Sequence, residues 1–115
     1  MNIKEKIDKY LNEQKLTSQN LAKELVGQKM KKVVGNVRGI EDLAYVDIIL
    51  ENFTVRVKGK KGGKTLSIKS GDEVKNREIS KVEWRVGYYI EAVFENKRTL
   101  KIMNETREDL DIQKI

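Results

Sequence analysis

The chain has 115 residues and a net charge of +6, and it contains neither cysteine nor histidine. Their absence excludes disulfides, thiolate or imidazole catalysis and most zinc or copper sites, which need nitrogen or sulfur ligands. The length fits one domain, spanning residues 1–115, that is large enough to bury a core. We therefore expect no cofactor, no metal and no enzymatic activity.

The sequence predicts neither a secretion signal nor a membrane span. Lysines are spread over residues 1–20 without a continuous apolar segment, and no run reaches the roughly 18 apolar residues that a spanning helix needs. The lack of cysteine fits a reducing compartment. We expect a cytoplasmic protein that does not contact a membrane.

The first 27 residues predict a helical hairpin, because apolar residues recur at helical spacing in two segments. The stripe of the first helix, at residues 3–14, consists of Ile3, Ile7, Tyr10 and Leu11. Thr17 or Ser18 can cap the second helix, whose stripe is Leu21, Ala22 and Leu25, and Gly27 can end it.

The same region carries a resemblance. Tyr10-Leu11 followed by Leu16-Thr17-Ser18-Gln19-Asn20-Leu21-Ala22-Lys23-Glu24-Leu25 resembles the first two helices of a winged helix-turn-helix domain, over about 25 residues. In that family a third helix lies in the major groove of DNA, and the resemblance implies that Gln28 to Arg38 forms it. A helical hairpin packed on a sheet accounts for the same apolar pattern.

An internal repeat assigns strands, not a helix, to the residues that follow. Residues 45–52 return 44 positions later as residues 89–96, with the apolar, acidic and Glu-Asn positions conserved between the two copies. The match extends upstream, where Met30, Val33 and Val37 correspond to Ile79, Val82 and Val86. It also extends downstream, where residues 53–58 correspond to 98–103 with Lys97 inserted. We predict two copies of a three-stranded meander, at residues 28–58 and 78–103.

Each copy predicts a hairpin with a defined register. A two-residue turn at Glu51-Asn52 places Ile48 opposite Val55 and Asp47 opposite Arg56, with the apolar pairs on one face. A three-residue turn at residues 95–97 places Ala92 opposite Leu100 and Glu91 opposite Lys101. Asp47 and Glu91 therefore have cross-strand cations, which favours ion pairing over acid-base chemistry or metal binding.

A segment rich in glycine and lysine joins the two copies within residues 59–77. Gly63-Lys64-Thr65 is similar to the end of a phosphate-binding P-loop, but Lys58 stands where that pattern requires its first glycine. Two interpretations remain: a solvated hairpin tip, or a loop that contacts phosphates through Lys58, Lys60, Lys61 and Lys64. A short strand is predicted at residues 66–69.

The second copy and the tail complete the fold. Val82, Trp84 and Val86 share one strand face, so Trp84 is predicted to be a core residue. The tail, residues 104–115, predicts either a short helix near residues 105–113, with an Asn or Thr cap and acidic residues in its first turn, or a frayed end. Leu110, Ile112 and Ile115 would dock it.

These elements predict an α+β fold. A helical pair packs on a mostly antiparallel sheet of six or seven strands that is made of two repeated meanders and is curved or partly closed. The doubled meander is loosely similar to small bacterial immunity-type and phage-encoded accessory proteins, without a specific motif. That similarity implies a small protein that inhibits or occupies a protein partner.

Two functions follow from these features. The first is non-catalytic binding of a protein partner, or of a second copy, through an outer sheet face with the candidate residues Tyr45, Arg56, Lys81, Arg85 and Tyr89. The alternative is nucleic-acid binding, because residues 1–69 hold 15 Lys and Arg against 8 Asp and Glu. Besides the loop lysines, its candidate phosphate contacts are Lys29, Lys31, Lys32 and Arg38.

Overall fold

The computed structural model describes Ile3 and residues 18–37, 43–59, 66–69, 72–85 and 89–115. Helix α1 spans Ser18–Leu25, and a single 3₁₀ turn spans Asp72–Val74. The strands are β1 Met30–Val37, β2 Leu43–Leu50, β3 Thr54–Gly59, β4 Leu66–Lys69, β5 Ile79–Arg85, β6 Tyr89–Phe94, β7 Thr99–Asn104 and β8 Leu110–Lys114.

The strands form two antiparallel sheets of four strands each. Sheet 1 has the order β1-β2-β3-β8, and sheet 2 has the order β4-β7-β6-β5. Within the described residues the sheets do not close into a barrel, and an isolated bridge between Lys29 and Glu78 joins them. The mostly antiparallel fold is confirmed, whereas the predicted number of six or seven strands is not matched, because the described residues form eight strands in two sheets.

Each sheet takes its fourth strand from the segment that follows the other meander, a pairing that the repeat alone does not predict. The predicted meanders are present as β1-β2-β3 and β5-β6-β7. Strand β4 follows the first meander but pairs with β7, where Ile68 lies opposite Ile102. Strand β8 follows the second meander but pairs with β3, where Ile112 lies opposite Val57. Each copy therefore completes the sheet of the other copy.

Both hairpin registers are confirmed. In sheet 1, Val46 pairs with Val57 and Ile48 with Val55, and the backbone N–H of Leu50 donates to the Phe53 carbonyl at 3.0 Å across the two-residue turn. In sheet 2, Ala92 pairs with Leu100 and Ile90 with Ile102. The extra residue, Lys97, lies in the turn with a φ of 67°, the left-handed conformation that a three-residue hairpin loop requires.

The meanders meet where their first strands begin. The backbone N–H of Met30 donates to the Arg77 carbonyl at 3.0 Å, and the N–H of Ile79, which corresponds to Met30 in the repeat, donates to the Gln28 carbonyl at 2.8 Å. A β-bulge follows Met30 in β1 and Ile79 in β5. These reciprocal bonds relate the two copies to each other and satisfy backbone groups at the strand ends.

Two residues with positive φ allow the chain to enter these strands. Gly27 follows α1 with a φ of 88°, and Asn76 follows the 3₁₀ turn with a φ of 61°. Their N–H groups donate to the carbonyls of Ile79 and Met30, respectively, both at 2.8 Å. Glycine and asparagine are the residues that adopt this conformation at low cost.

One core lies between the inner faces of the sheets, and α1 contributes to it and packs against β5. Leu21 and Leu25 of α1 are fully buried, and Lys114 of β8 forms an ion pair with Glu24 of the helix at 3.1 Å. The buried residues of the sheets and the 3₁₀ turn are Met30, Val46, Ile48, Leu50, Val55, Val57, Leu66, Val74, Ile79, Ile90, Ala92, Phe94, Leu100, Ile102, Leu110 and Ile112. The predicted second helix is thus confirmed.

The predicted C-terminal helix is wrong, because residues 110–114 form β8. Leu110 and Ile112 alternate with polar residues and face the core next to β3. The side chain of Asn104 accepts from the Thr106 N–H at 3.2 Å and donates to the Glu108 carbonyl at 2.7 Å. These bonds and the φ of 58° at Arg107 form a tight turn where the helix was expected.

Two further sequence predictions concern the N-terminal region. Residues Met30–Val37 form strand β1, as the repeat predicts, where the winged-helix resemblance implies a third helix. Of the predicted first helix, Ile3 is helical and exposed, and Ile7, Tyr10 and Leu11 lie outside the described residues.

Candidate functional site

The outer face of sheet 1 carries a cluster formed by Tyr45, Asp47 and Arg56, which we call the Tyr45 cluster. Tyr45 and Asp47 point outward from β2 because Val46 and Ile48 point into the core. Arg56 lies opposite Asp47 in β3. Its Nε donates to Asp47 Oδ1 at 2.9 Å, and its Nη2 donates to Oδ2 at 3.1 Å.

The guanidinium of Arg56 is held from two sides. Besides its two bonds to Asp47, it lies 4.0 Å from the centre of the Tyr45 ring. The hydrogen bond to Asp47 raises the pKa of Arg56 above its usual value, although burial opposes this effect. A bidentate, stacked arginine loses little further side-chain entropy when it contacts a partner.

Exposed apolar side chains flank this cluster. Val34 of β1 lies opposite Asp47 and is 40% exposed. Ile115, which is 47% exposed, continues β8 and exchanges two backbone hydrogen bonds with Thr54. Sheet 2 has no large hydrophobic residue of comparable exposure among its described side chains. Sheet 1 therefore combines a fixed cation with apolar surface, which is typical of protein interfaces.

A related cluster occurs at the corresponding positions of sheet 2, where Tyr89, Glu91 and Lys101 form the Tyr89 cluster. Lys101 Nζ lies 4.0 Å from the centre of the Tyr89 ring, and Glu91 of β6 lies opposite Lys101 of β7. A lysine presents a single ammonium group instead of a planar fork. The Tyr89 cluster therefore lacks the two-point geometry of the Tyr45 cluster.

The other protein-binding candidates also belong to sheet 2. Lys81 and Arg85 are exposed on β5, on the side opposite the partly buried Val82 and Trp84. Lys81 pairs with Glu83 at 2.8 Å, and this hydrogen bond raises the pKa of Lys81. Tyr45 and Arg56 thus lie on one sheet, and Lys81, Arg85 and Tyr89 on the other, so the five candidates do not form one contiguous cluster.

The candidate phosphate contacts are distributed differently. Lys29, Lys31 and Lys32 are exposed at the beginning of β1. Lys58 is half-buried in β3 and lies opposite Asp111 of β8. The remaining candidates, Arg38, Lys60, Lys61 and Lys64, lie outside the described residues.

Two residues of the sheet 1 surface, Val34 and Ile115, were not among the sequence-based candidates. The signal for Val34 was the position of Val33 in the repeat: Val33 corresponds to Val82, and its neighbour must face the opposite side. Ile115 gave no such signal, because the tail was interpreted as a helix.

The described residues contain no group of three or more Asp and Glu side chains placed to hold a metal ion. The indole Nε1 of Trp84 is buried and has no hydrogen-bond acceptor in the described part of the chain, but its ring packs against the core. In these same segments, no helix has the length and apolar character that crossing a membrane requires.

In comparisons with known proteins, no family model, no curated protein and no solved structure matches the chain. Function is therefore inferred from the geometry of its own side chains.

Proposed function

We propose that this chain is a non-catalytic protein-binding module that docks on a partner through the outer face of sheet 1. The observation that carries the proposal is the Tyr45 cluster, in which Arg56 is fixed by Asp47 at 2.9 and 3.1 Å and by the Tyr45 ring at 4.0 Å. Tyrosine and arginine are the residue types that most often dominate binding energy at interfaces.

The surroundings of the cluster support this role. Val34 and Ile115 add exposed apolar area on the same face, and Asp47 balances the charge of Arg56. A mixed surface of this kind binds through burial of aromatic and apolar groups, with polar contacts that fix the orientation. The inhibitor or immunity-like role suggested by the small size of the chain would use the same face to occupy its partner.

The test is affinity capture from a nuclease-treated lysate of the source cells with two matched double variants. Tyr45→Ser with Arg56→Gln changes the Tyr45 cluster, and Tyr89→Ser with Lys101→Gln makes the corresponding change in sheet 2. We expect a protein that is retained at about 300 mM salt by the wild type and the sheet 2 variant, but not by the sheet 1 variant. Equal capture by both variants contradicts the proposal.

Nucleic-acid binding is the second candidate, favoured by the exposure of Lys29, Lys31 and Lys32. Binding driven by phosphate contacts weakens steeply with salt. A labelled random duplex and a labelled single strand, titrated from roughly 50 to 300 mM salt, test this candidate. Tight binding with a steep slope that is lost in Lys29→Ser, Lys31→Ser, Lys32→Ser supports it, and no binding at the lowest salt excludes it.

A further inference from the structure

Strand β1 is an edge strand of sheet 1 in the described part of the chain. It pairs with β2 on one side, and from Lys31 onward no described residue pairs with its other side. At eight residues, β1 and β2 are the longest strands in the described part of the chain. A long edge presents backbone donors and acceptors that another strand can use.

The hairpin register shows which backbone groups point outward. Leu50 donates to Phe53, so the even-numbered residues of β2 bond toward β3, and Asp47, like the other odd-numbered residues, bonds toward β1. The partners of these odd-numbered residues in β1 include Lys32 and Val34. The N–H and C=O groups of Val33 and Gly35 therefore point away from β2.

The side chains near this edge favour a ligand with acidic residues. Lys29, Lys31 and Lys32 are exposed, and residues 29–37 contain no aspartate or glutamate. Val34 leaves an apolar side chain 40% exposed beside them, which an added strand would cover. At Gly35 there is no side chain to limit the approach of another backbone.

The other sheet edges are less suited to this role. Strand β4 has four residues and β8 has five. Strand β5 has α1 packed against it, and its exposed Lys81 is already paired with Glu83. A second copy of the chain is a poor ligand for β1, because residues 29–37 of that copy offer no acidic side chain to these lysines.

We propose that the edge of β1 that faces away from β2 binds an extended, acidic segment of a partner protein, which adds to sheet 1 as a fifth strand. Acidic side chains on the added strand meet Lys31 and Lys32, and an apolar side chain covers Val34. The backbone of the added strand bonds to Val33 and Gly35. This inference rests on the proposed function in taking a protein as the partner class, and it adds the chemistry of the bound segment.

The probe is a fluorescein-labelled peptide of about ten residues with valine in its centre and glutamate at both ends, so that an acidic and an apolar side chain lie on the same face of the added strand; a matched peptide has lysine at both ends. Fluorescence polarisation measures affinity, and amide hydrogen exchange followed by NMR locates the contact. We expect the acidic peptide alone to bind, and the exchange of the Val33 and Gly35 amides to slow by about tenfold or more. The amides of Lys32 and Val34, already bonded to β2, change little.

Two controls test the mechanism. Lys31→Glu with Lys32→Glu should weaken binding of the acidic peptide by about tenfold or more, whereas the same charge change at exposed Lys69 of β4 and exposed Arg98, just before β7, should not. N-methylation of every second peptide amide should abolish binding when the methylated amides face β1 and preserve it when they face away. The reason is that only one edge of an added strand bonds to the sheet.

Several outcomes overturn the inference. They are equal binding of both peptides, protection at residues outside β1, equal sensitivity to both N-methylation patterns, and concentration-dependent protection of Val33 without peptide, which indicates self-association. Displacement of the acidic peptide by a random oligonucleotide at low salt assigns the edge to nucleic acid instead. If the peptide protects β1 but the Tyr45→Ser, Arg56→Gln variant captures the partner as well as the wild type does, the proposed docking face of sheet 1 is wrong and the peptide site at β1 stands.

Discussion

Sheet 1 and sheet 2 are built from corresponding strands, but their outer faces differ. On the inner faces, Ile48 corresponds to Ala92 and Val57 to Ile102, and all four are buried. On the outer faces, the bidentate Arg56 of sheet 1 corresponds to Lys101 of sheet 2, and the exposed Val34 corresponds to Glu83. Core packing fixes the repeated residues, whereas the outer residues are free to differ and to carry binding.

The same comparison applies at the strand entrances. Before β1 the chain forms α1, with eight residues, and before β5 it forms a 3₁₀ turn of three residues. Leu25 and Val74 occupy corresponding positions, and both are buried. The residue at this position belongs to the core in both copies, whereas the element that carries it is an α-helix only before β1.

The largest effect is expected from a charge placed on the shared inner face. Ile48→Asp and Ala92→Asp each bury an unpaired carboxylate at sites that are 1% exposed. The cost exceeds several kcal/mol, comparable with a total stability of about 5–15 kcal/mol. We expect both variants to lose the cooperative thermal transition seen by circular dichroism.

The neighbouring outer residues provide the matched controls. Ile49→Asp and Val93→Asp place the same charge one position away on half-buried outer sites and should remain folded. A folded Ile48→Asp protein together with an unfolded Ile49→Asp protein would mean that the two faces are assigned the wrong way round.

A smaller effect is expected from truncating the exchanged strands. Ile112→Ala removes a fully buried side chain from β8 and should cost about 2–5 kcal/mol. Ile68→Ala, at the corresponding position of the partly buried β4, should cost less. Urea unfolding measures both. A single transition for probes in both sheets is expected, and separate transitions would show that the exchange does not couple them.

The next effect concerns the two residues with positive φ that precede β1 and β5, where a substitution changes backbone strain. Gly27→Ala places a Cβ at a φ of 88° with no atom within 4 Å, so strain alone should destabilise the protein by about 1–2 kcal/mol. Asn76→Gly, at the corresponding site, should change stability by less than about 1 kcal/mol. Chemical denaturation tests the pair, and a neutral Gly27→Ala variant would contradict the positive φ.

The smallest effect concerns the outer clusters. A double-mutant cycle with Asp47→Asn and Arg56→Gln should give a coupling of about 0.5–1 kcal/mol, because the side chains are only partly shielded from solvent. The corresponding cycle with Glu91→Gln and Lys101→Gln should give less. Equal couplings would show that the fork of Arg56 adds nothing to the pair.

The sequence predicts the hairpins well, because turn length and alternation act over a few residues. Ile48 and Val55 are joined by a short turn, so a shift by one residue would expose every apolar side chain. The fourth strands lack such a constraint. Leu66 and Ile68 recur as Leu110 and Ile112, which identifies them as equivalent but does not reveal that their partners lie in the other copy.

The candidate site is only partly predictable for a related reason. The pairing of Asp47 with Arg56 follows from the hairpin register. Tyr45 is predicted to lie on the same face as Asp47, because the two residues are two positions apart on one strand. Which outer residues share a sheet depends on the strand order, so Lys81 and Tyr89 were grouped with Tyr45 although they belong to sheet 2. The exposure of Val34 likewise depends on β1 being an edge strand.

The exchanged fourth strands also affect how the chain folds during synthesis. Translation delivers β3 before its partner β8, which follows β4 to β7 along the chain. Until then β3 is an uncovered edge, exposed to pairing with neighbouring nascent chains. Lys58, Lys60, Lys61 and Lys64, at and just after the end of this strand, are placed where charged residues suppress such aggregation. Replacing these lysines should therefore lower the yield of soluble protein even where native stability is unchanged.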